Sequence, residues 1–100
     1  MPDYPPRVPS LIQADSRPEL QGYAKLRNDA QRGRWVILAP ERILSPDDTA
    51  LAILRLCDGK RSVSEIGEAL ALEYDTPAEA IVPDVIEMLQ DLADQGIIKA

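Results

Sequence analysis

One hundred residues suffice for one small domain with its own core and no disulfide staples. The chain has no histidine and one cysteine, which excludes histidine-based catalysis, histidine metal sites and an internal disulfide. The net charge of −6 is uneven: residues 1–61 carry ten Lys/Arg against eight Asp/Glu, residues 62–100 one Lys against nine acids, so the second part offers no phosphate-binding surface.

Five of the nine prolines fall in the first twenty residues. Proline lacks the N–H that a helix or strand interior requires. Residues 1–21 therefore read as an extended, flexible arm. Leu11 and Ile12 form a short apolar spot on it, available for docking; a plain disordered tail is the alternative.

Ordered structure is expected from about Gly22, in one domain over 22–100. Tyr23 to Arg27 alternate, with Ala24 and Leu26 on one face and Lys25 and Arg27 on the other, as in a half-buried strand. Asn28 to Gly33 is a polar loop. Trp35 to Ala39 is a continuous apolar run as long as any in the chain and reads as a central strand. It is too short to cross a membrane, and no secretory signal is visible, so a soluble, cytoplasmic chain with no membrane contact is expected. Pro40 and Glu41 turn the chain, and Arg42 to Leu44 allow only a short third strand with an exposed edge.

Three helices follow. Ser45 is a candidate cap, with Pro46 at the first helical position and Asp47 and Asp48 at the positive end of the dipole. Ala50, Ile53, Leu54 and Cys57 recur at helical spacing, which predicts a helix over 46–57 ending at Gly59. Cys57 lies on that stripe and reads as a small buried hydrophobe. Ser62 and Glu65 form a capping box for a helix over 63–74. Thr76 and Pro77 open a third helix to Gln95, stopped by Gly96. Pro83 predicts a kink or a late start. Ile97 and Ile98 suggest a brief closing strand. The fold class is α+β and winged-helix-like: a three-stranded antiparallel meander, then three helices.

On a wheel of about 100° per residue, the apolar residues of 81–93 span an arc of about 160°. An ordinary surface helix needs about 100°. The helix is either the central core element or has one margin facing a groove. Its polar side carries no basic residue, which does not suit a DNA recognition helix. The carboxylates Glu65, Glu68, Glu73, Asp84, Glu87, Asp91 and Asp94 are spaced as solvated faces, not as a catalytic pair. No phosphate loop or EF-hand spacing is present.

Two stretches carry a family resemblance: GRWVILAPERILSPDDTALAILRLCDGKRSVSEIGEALALEY and DVIEMLQDLADQGII. Leu38, Pro40 and Glu41, then Thr49, Ala50, Ile53, Leu54, Leu56, Asp58 and Gly59, then Asp84, Val85, Leu89 and Leu92 fall in the order of the PqqD family of pyrroloquinoline quinone (PQQ) biosynthesis. Arg42 stands where that family often has glycine, and Pro83 departs from its pattern. The resemblance implies a non-catalytic peptide chaperone without cofactor or metal. It would bind the ribosomal precursor peptide PqqA by strand addition and present it to the radical-SAM enzyme PqqE. It implies pairing at the third strand and packing against the third helix. Arg42, Ile43, Leu44 and Ser45 are the expected pairing residues. Ile81, Val85, Met88 and Leu92 are the expected groove wall, or else core, and Asp84 faces a basic peptide residue or solvent. Leu44→Pro is expected to remove one edge N–H. The arm would contact the enzyme, or exchange between two copies in a homodimer. The alternatives are a recognition domain for another modified peptide and, against the charge, a DNA-binding winged helix.

Overall fold

The structure, a computed structural model, describes residues 11–100. The chain runs β1 (Glu19–Leu20), β2 (Lys25–Asp29), β3 (Arg34–Ala39), β4 (Arg42–Leu44), α1 (Asp48–Leu54), α2 (Val63–Tyr74), α3 (Ala78–Asp94) and β5 (Ile98–Lys99). Strands β2, β3 and β4 form the expected antiparallel meander with β3 in the centre and β4 at an edge. Leu26 and Leu44 flank Ile37 across the two ladders, and Ile37 is buried in the core with Ile53, Ile66 and Leu89 from the helices. Period two along β3 thus turns Trp35, Ile37 and Ala39 toward the helices and Arg34, Val36 and Leu38 away.

The turn between β3 and β4 is two residues long, Pro40 and Glu41. Glu41 takes the left-handed conformation (φ 60). Arg42 is ordinary strand, so the absence of glycine at that position costs nothing.

Helix α1 is shorter than expected at both ends. Its cap is Asp47, not Ser45: the Asp47 Oδ1 accepts the Ala50 N–H at 2.7 Å. An aspartate two residues further on competes successfully with the serine because it satisfies the same class of orphan donor with a charged oxygen. Past Leu54 the backbone tightens. Leu56 N–H donates to the Ile53 carbonyl and Cys57 N–H to the Leu54 carbonyl, at 3.0 and 3.1 Å, the i→i−3 pattern of a 3₁₀ turn.

Helix α2 keeps its predicted bounds. Ser62 accepts the Glu65 N–H and the Glu65 carboxylate accepts the Ser62 N–H, at 3.1 and 3.0 Å. Gly67 allows α3 to approach: a Cβ there would lie 2.4 Å from Val82 Cγ2. Helix α3 is continuous from Ala78 with Pro83 inside it, so the late start does not occur. Pro83 lacks only the N–H that would have reached the Glu79 carbonyl in the first turns.

The order expected from Gly22 begins earlier. Ile12 is 3 % exposed and Pro18 is among the fully buried side chains. Residues 12–20 form a strap across the start of α2. Val63 N–H donates to the Ser16 carbonyl and Ser64 N–H to the Ala14 carbonyl, which satisfies two of the orphan donors of that helix. Strand β1 then pairs with β5, a partner for the predicted closing strand that the sequence did not suggest. Residues 11–21 are therefore not a free arm, and Ile12 is spent in this chain's own core. Leu11 stays 70 % exposed. The rest of the expected arm, residues 1–10, lies outside the described residues.

Candidate functional site

The candidate site lies where β4, the first turn of α1 and α3 meet. The sheet delivers the strand edge. Ala39 faces Arg42 across the two-residue turn, and a turn of that length closes with the Arg42 N–H on the Ala39 carbonyl. Main-chain groups alternate along an antiparallel strand. Leu44, opposite Ile37, therefore points its N–H and C=O back at β3, and Ile43 points both outward. The edge donor is Ile43, which corrects the expectation for Leu44→Pro. Among the described residues no strand pairs with the outer side of β4.

Side chains alternate as well. Arg42 and Leu44 lie on the helix side. The Arg42 guanidinium donates to the Gln95 carbonyl at 2.7 Å and so ties the start of β4 to the end of α3. Ile43 lies on the other face, 64 % exposed, beside Arg27 and Leu38.

Two recesses flank α3. The first, about 260 Å³, brings together Leu44, Ser45, Met88 and Leu92. The second, about 320 Å³, contains Ile81, Asp84, Val85 and Met88. Met88, Asp47 and Ala50 line both. Of the nine expected site residues, eight thus sit around one two-part groove or tie its end, and only the Ile43 side chain faces elsewhere. Val85 is 1 % exposed: it is floor, part of the core, and not a free wall. The wide arc of α3 divides accordingly. Val85 and Leu89 in its middle are buried, Val82 and Ala93 on one margin pack as partly buried residues, and Ile81, Met88 and Leu92 on the other margin are partly buried and line the recesses.

Pro46, Asp47 and Ala50 are lining residues that the sequence reading missed. Their signal was spent on the helix start. Only their placement opposite Met88 and Leu92 of α3 turns them into a wall.

The electrostatics favour a cationic ligand. Asp47, Asp84 and Asp91 line the recesses, and among the described residues none has a basic side chain within ion-pair distance. Cys57 is buried away from the groove, its Sγ–H donating to the Ile53 carbonyl at 3.3 Å. Burial, with the Asp58 charge second, pushes its thiol up to about 12, so it does not form a thiolate near neutral pH. Among the described residues no group of three or more Cys, Asp or Glu side chains is placed to hold a metal ion, and no helix is long and apolar enough to cross a membrane.

Comparison with known proteins accounts for this architecture. The family model for coenzyme PQQ synthesis protein D (PqqD) matches residues 34–98. A protein of Bradyrhizobium diazoefficiens described as a PqqA binding protein is 54 % identical over 93 residues, covering 93 % of this chain and 89 % of its own length. The solution structure of the PqqD truncation of Methylobacterium extorquens PqqCD is described as a functional, stand-alone recognition element for a ribosomally synthesised and modified peptide. It superposes with a TM-score of 0.79 at 36 % identity, over 92 % of this chain and 98 % of that one. The crystal structure of PqqD from Xanthomonas campestris matches at 0.57 with 38 % identity, over 89 % and 99 % of the two chains. The chain belongs to the PqqD family.

Proposed function

We propose that this chain is a non-catalytic adaptor that binds the ribosomal precursor peptide PqqA by strand addition to β4 and presents it to the radical-SAM enzyme PqqE. One observation carries the reading: an edge strand with an outward N–H and C=O at Ile43 runs beside an apolar, acid-rimmed groove. A strand laid along β4 gains main-chain hydrogen bonds, and every second side chain of it enters the groove. Leu44, Met88 and Leu92 receive those side chains. Met88 is suited to it, because an unbranched thioether adapts to different shapes. Relatives described as PqqA binding proteins support the choice of peptide, and the recognition-element neighbour supports a peptide-binding role. The role toward PqqE follows from the family resemblance.

The test is a titration of isotopically labelled chain with PqqA. Amide shifts are expected at Arg42 to Ser45 and along Ile81 to Leu92. Shifts confined to residues before Gly22, or none, reject the groove.

A further inference from the structure

The second recess has more features than an apolar wall for a peptide strand. Its floor includes Ile53 and Val85, 2 % and 1 % exposed, and Met88 forms part of its side. Its rim is polar and of one sign. Asp47 lines it from the start of α1 and Asp84 from the first half of α3, and both are exposed. Tyr74, at the end of α2, is 51 % exposed beside them. One Asp47 oxygen already accepts the Ala50 N–H. Neither carboxylate has a basic side chain within ion-pair distance among the described residues.

An apolar shaft rimmed by two carboxylates and a phenol ring complements one kind of group: a methylene stem with a cationic head. Arginine and lysine have both. The stem covers the floor and the head bonds the carboxylates at the rim, where Tyr74 also lines the recess. A neutral apolar side chain would cover the floor too, but it would strip water from the carboxylates without compensation. An acidic one would be repelled.

We infer that this recess is a subsite for an arginine or lysine side chain of the bound peptide. The inference rests on the strand-addition reading, because the recess joins the groove beside β4 through Met88 and Asp47.

The test titrates fluorescently labelled PqqA into the full chain, into the double variant Asp47→Asn/Asp84→Asn, and into Ile43→Pro and Ile43→Ala, at low and high salt. Asparagine at 47 keeps the helix cap. The double variant is expected to bind roughly 5- to 10-fold more weakly at low salt, with the gap shrinking at high salt. Replacing one basic peptide residue by norleucine should reproduce the loss on the wild-type chain and add nothing to the double variant. Wild-type affinity of the double variant at low salt, or indifference to norleucine at every basic position, overturns the subsite. Failure of the strand-addition reading is distinct: Ile43→Pro would then bind like Ile43→Ala, whatever the double variant does.

Discussion

Proline at two adjacent positions of β4 should have opposite consequences. Ile43 directs its N–H outward and its side chain is 64 % exposed, so Ile43→Pro removes a donor that the folded chain does not use. Proline is tolerated at such an edge position, and the stability change is expected to stay within about 0.5 kcal/mol. A bound peptide strand loses one main-chain hydrogen bond, worth about 0.5–1.5 kcal/mol net, which is roughly a 2- to 12-fold increase in Kd. Ile43→Ala is the control for the lost side chain. Leu44 directs its N–H at β3, opposite Ile37. Leu44→Pro breaks a ladder bond and disturbs a partly buried leucine packed on the core, costing about 2 kcal/mol or more, a large fraction of a total of about 5–15 kcal/mol. Urea unfolding measures the first quantity and titration with labelled PqqA the second. A folded Ile43→Pro chain that binds PqqA as tightly as Ile43→Ala would refute strand addition at β4.

The docked strap makes a second pair of neighbours diverge. Ile12→Ala should cost about 2–4 kcal/mol in urea unfolding, as for any fully buried isoleucine, while Leu11→Ala, at 70 % exposure, should stay within about 0.5 kcal/mol; equal effects would mean that the strap does not dock. Stability should also fall in acid. Hydrogen bonds from the Ser62 N–H, then the Ser62 hydroxyl, hold the Glu65 carboxyl below its ordinary 4.5, and those from the Arg61 and Lys60 N–H groups hold Asp58 below 3.8. A carboxylate lowered on folding contributes stability that is complete above its ordinary value and is lost as the pH falls through the folded one. Urea midpoints between neutral pH and about pH 3 should therefore drop less steeply in Glu65→Gln and Asp58→Asn chains than in the wild type; parallel curves would show that these contacts do not form.

Much of the fold was legible because local signals agree with it. The Ser62–Glu65 capping box sets α2 to the residue. The apolar run of β3, with polar alternation before it and a two-residue turn after it, specifies a meander with a weak third member. The helical periodicity of α3 marks an apolar arc wide enough for both core and groove, but it put Val85 on the groove wall with Ile81, Met88 and Leu92, and the structure buries Val85 as floor. The charge count excludes a phosphate-binding surface on residues 62–100. These are properties of spacing, and spacing is visible in one dimension.

What the sequence could not reveal involves partners distant along the chain. Five prolines argue for a free arm, because proline forbids regular hydrogen bonding. Yet residues 12–20 dock through the Ala14 and Ser16 carbonyls on the open end of α2 and the Pro18 carbonyl on the Gly59 N–H, and by filling the core with Ile12 and Pro18. Ser45 and Asp47 are both good caps locally, and the structure selects Asp47. The direction of each β4 N–H depends on the phase of its pairing with β3, so a strand edge legible at Arg42 to Ser45 became a specific donor at Ile43 only in three dimensions. The two recesses exist because the start of α1 and the margin of α3 around Met88 line the same openings. Composition and periodicity determined which faces are apolar and which are acidic; the packing of the helices on the sheet decided which of those faces stays open to a peptide.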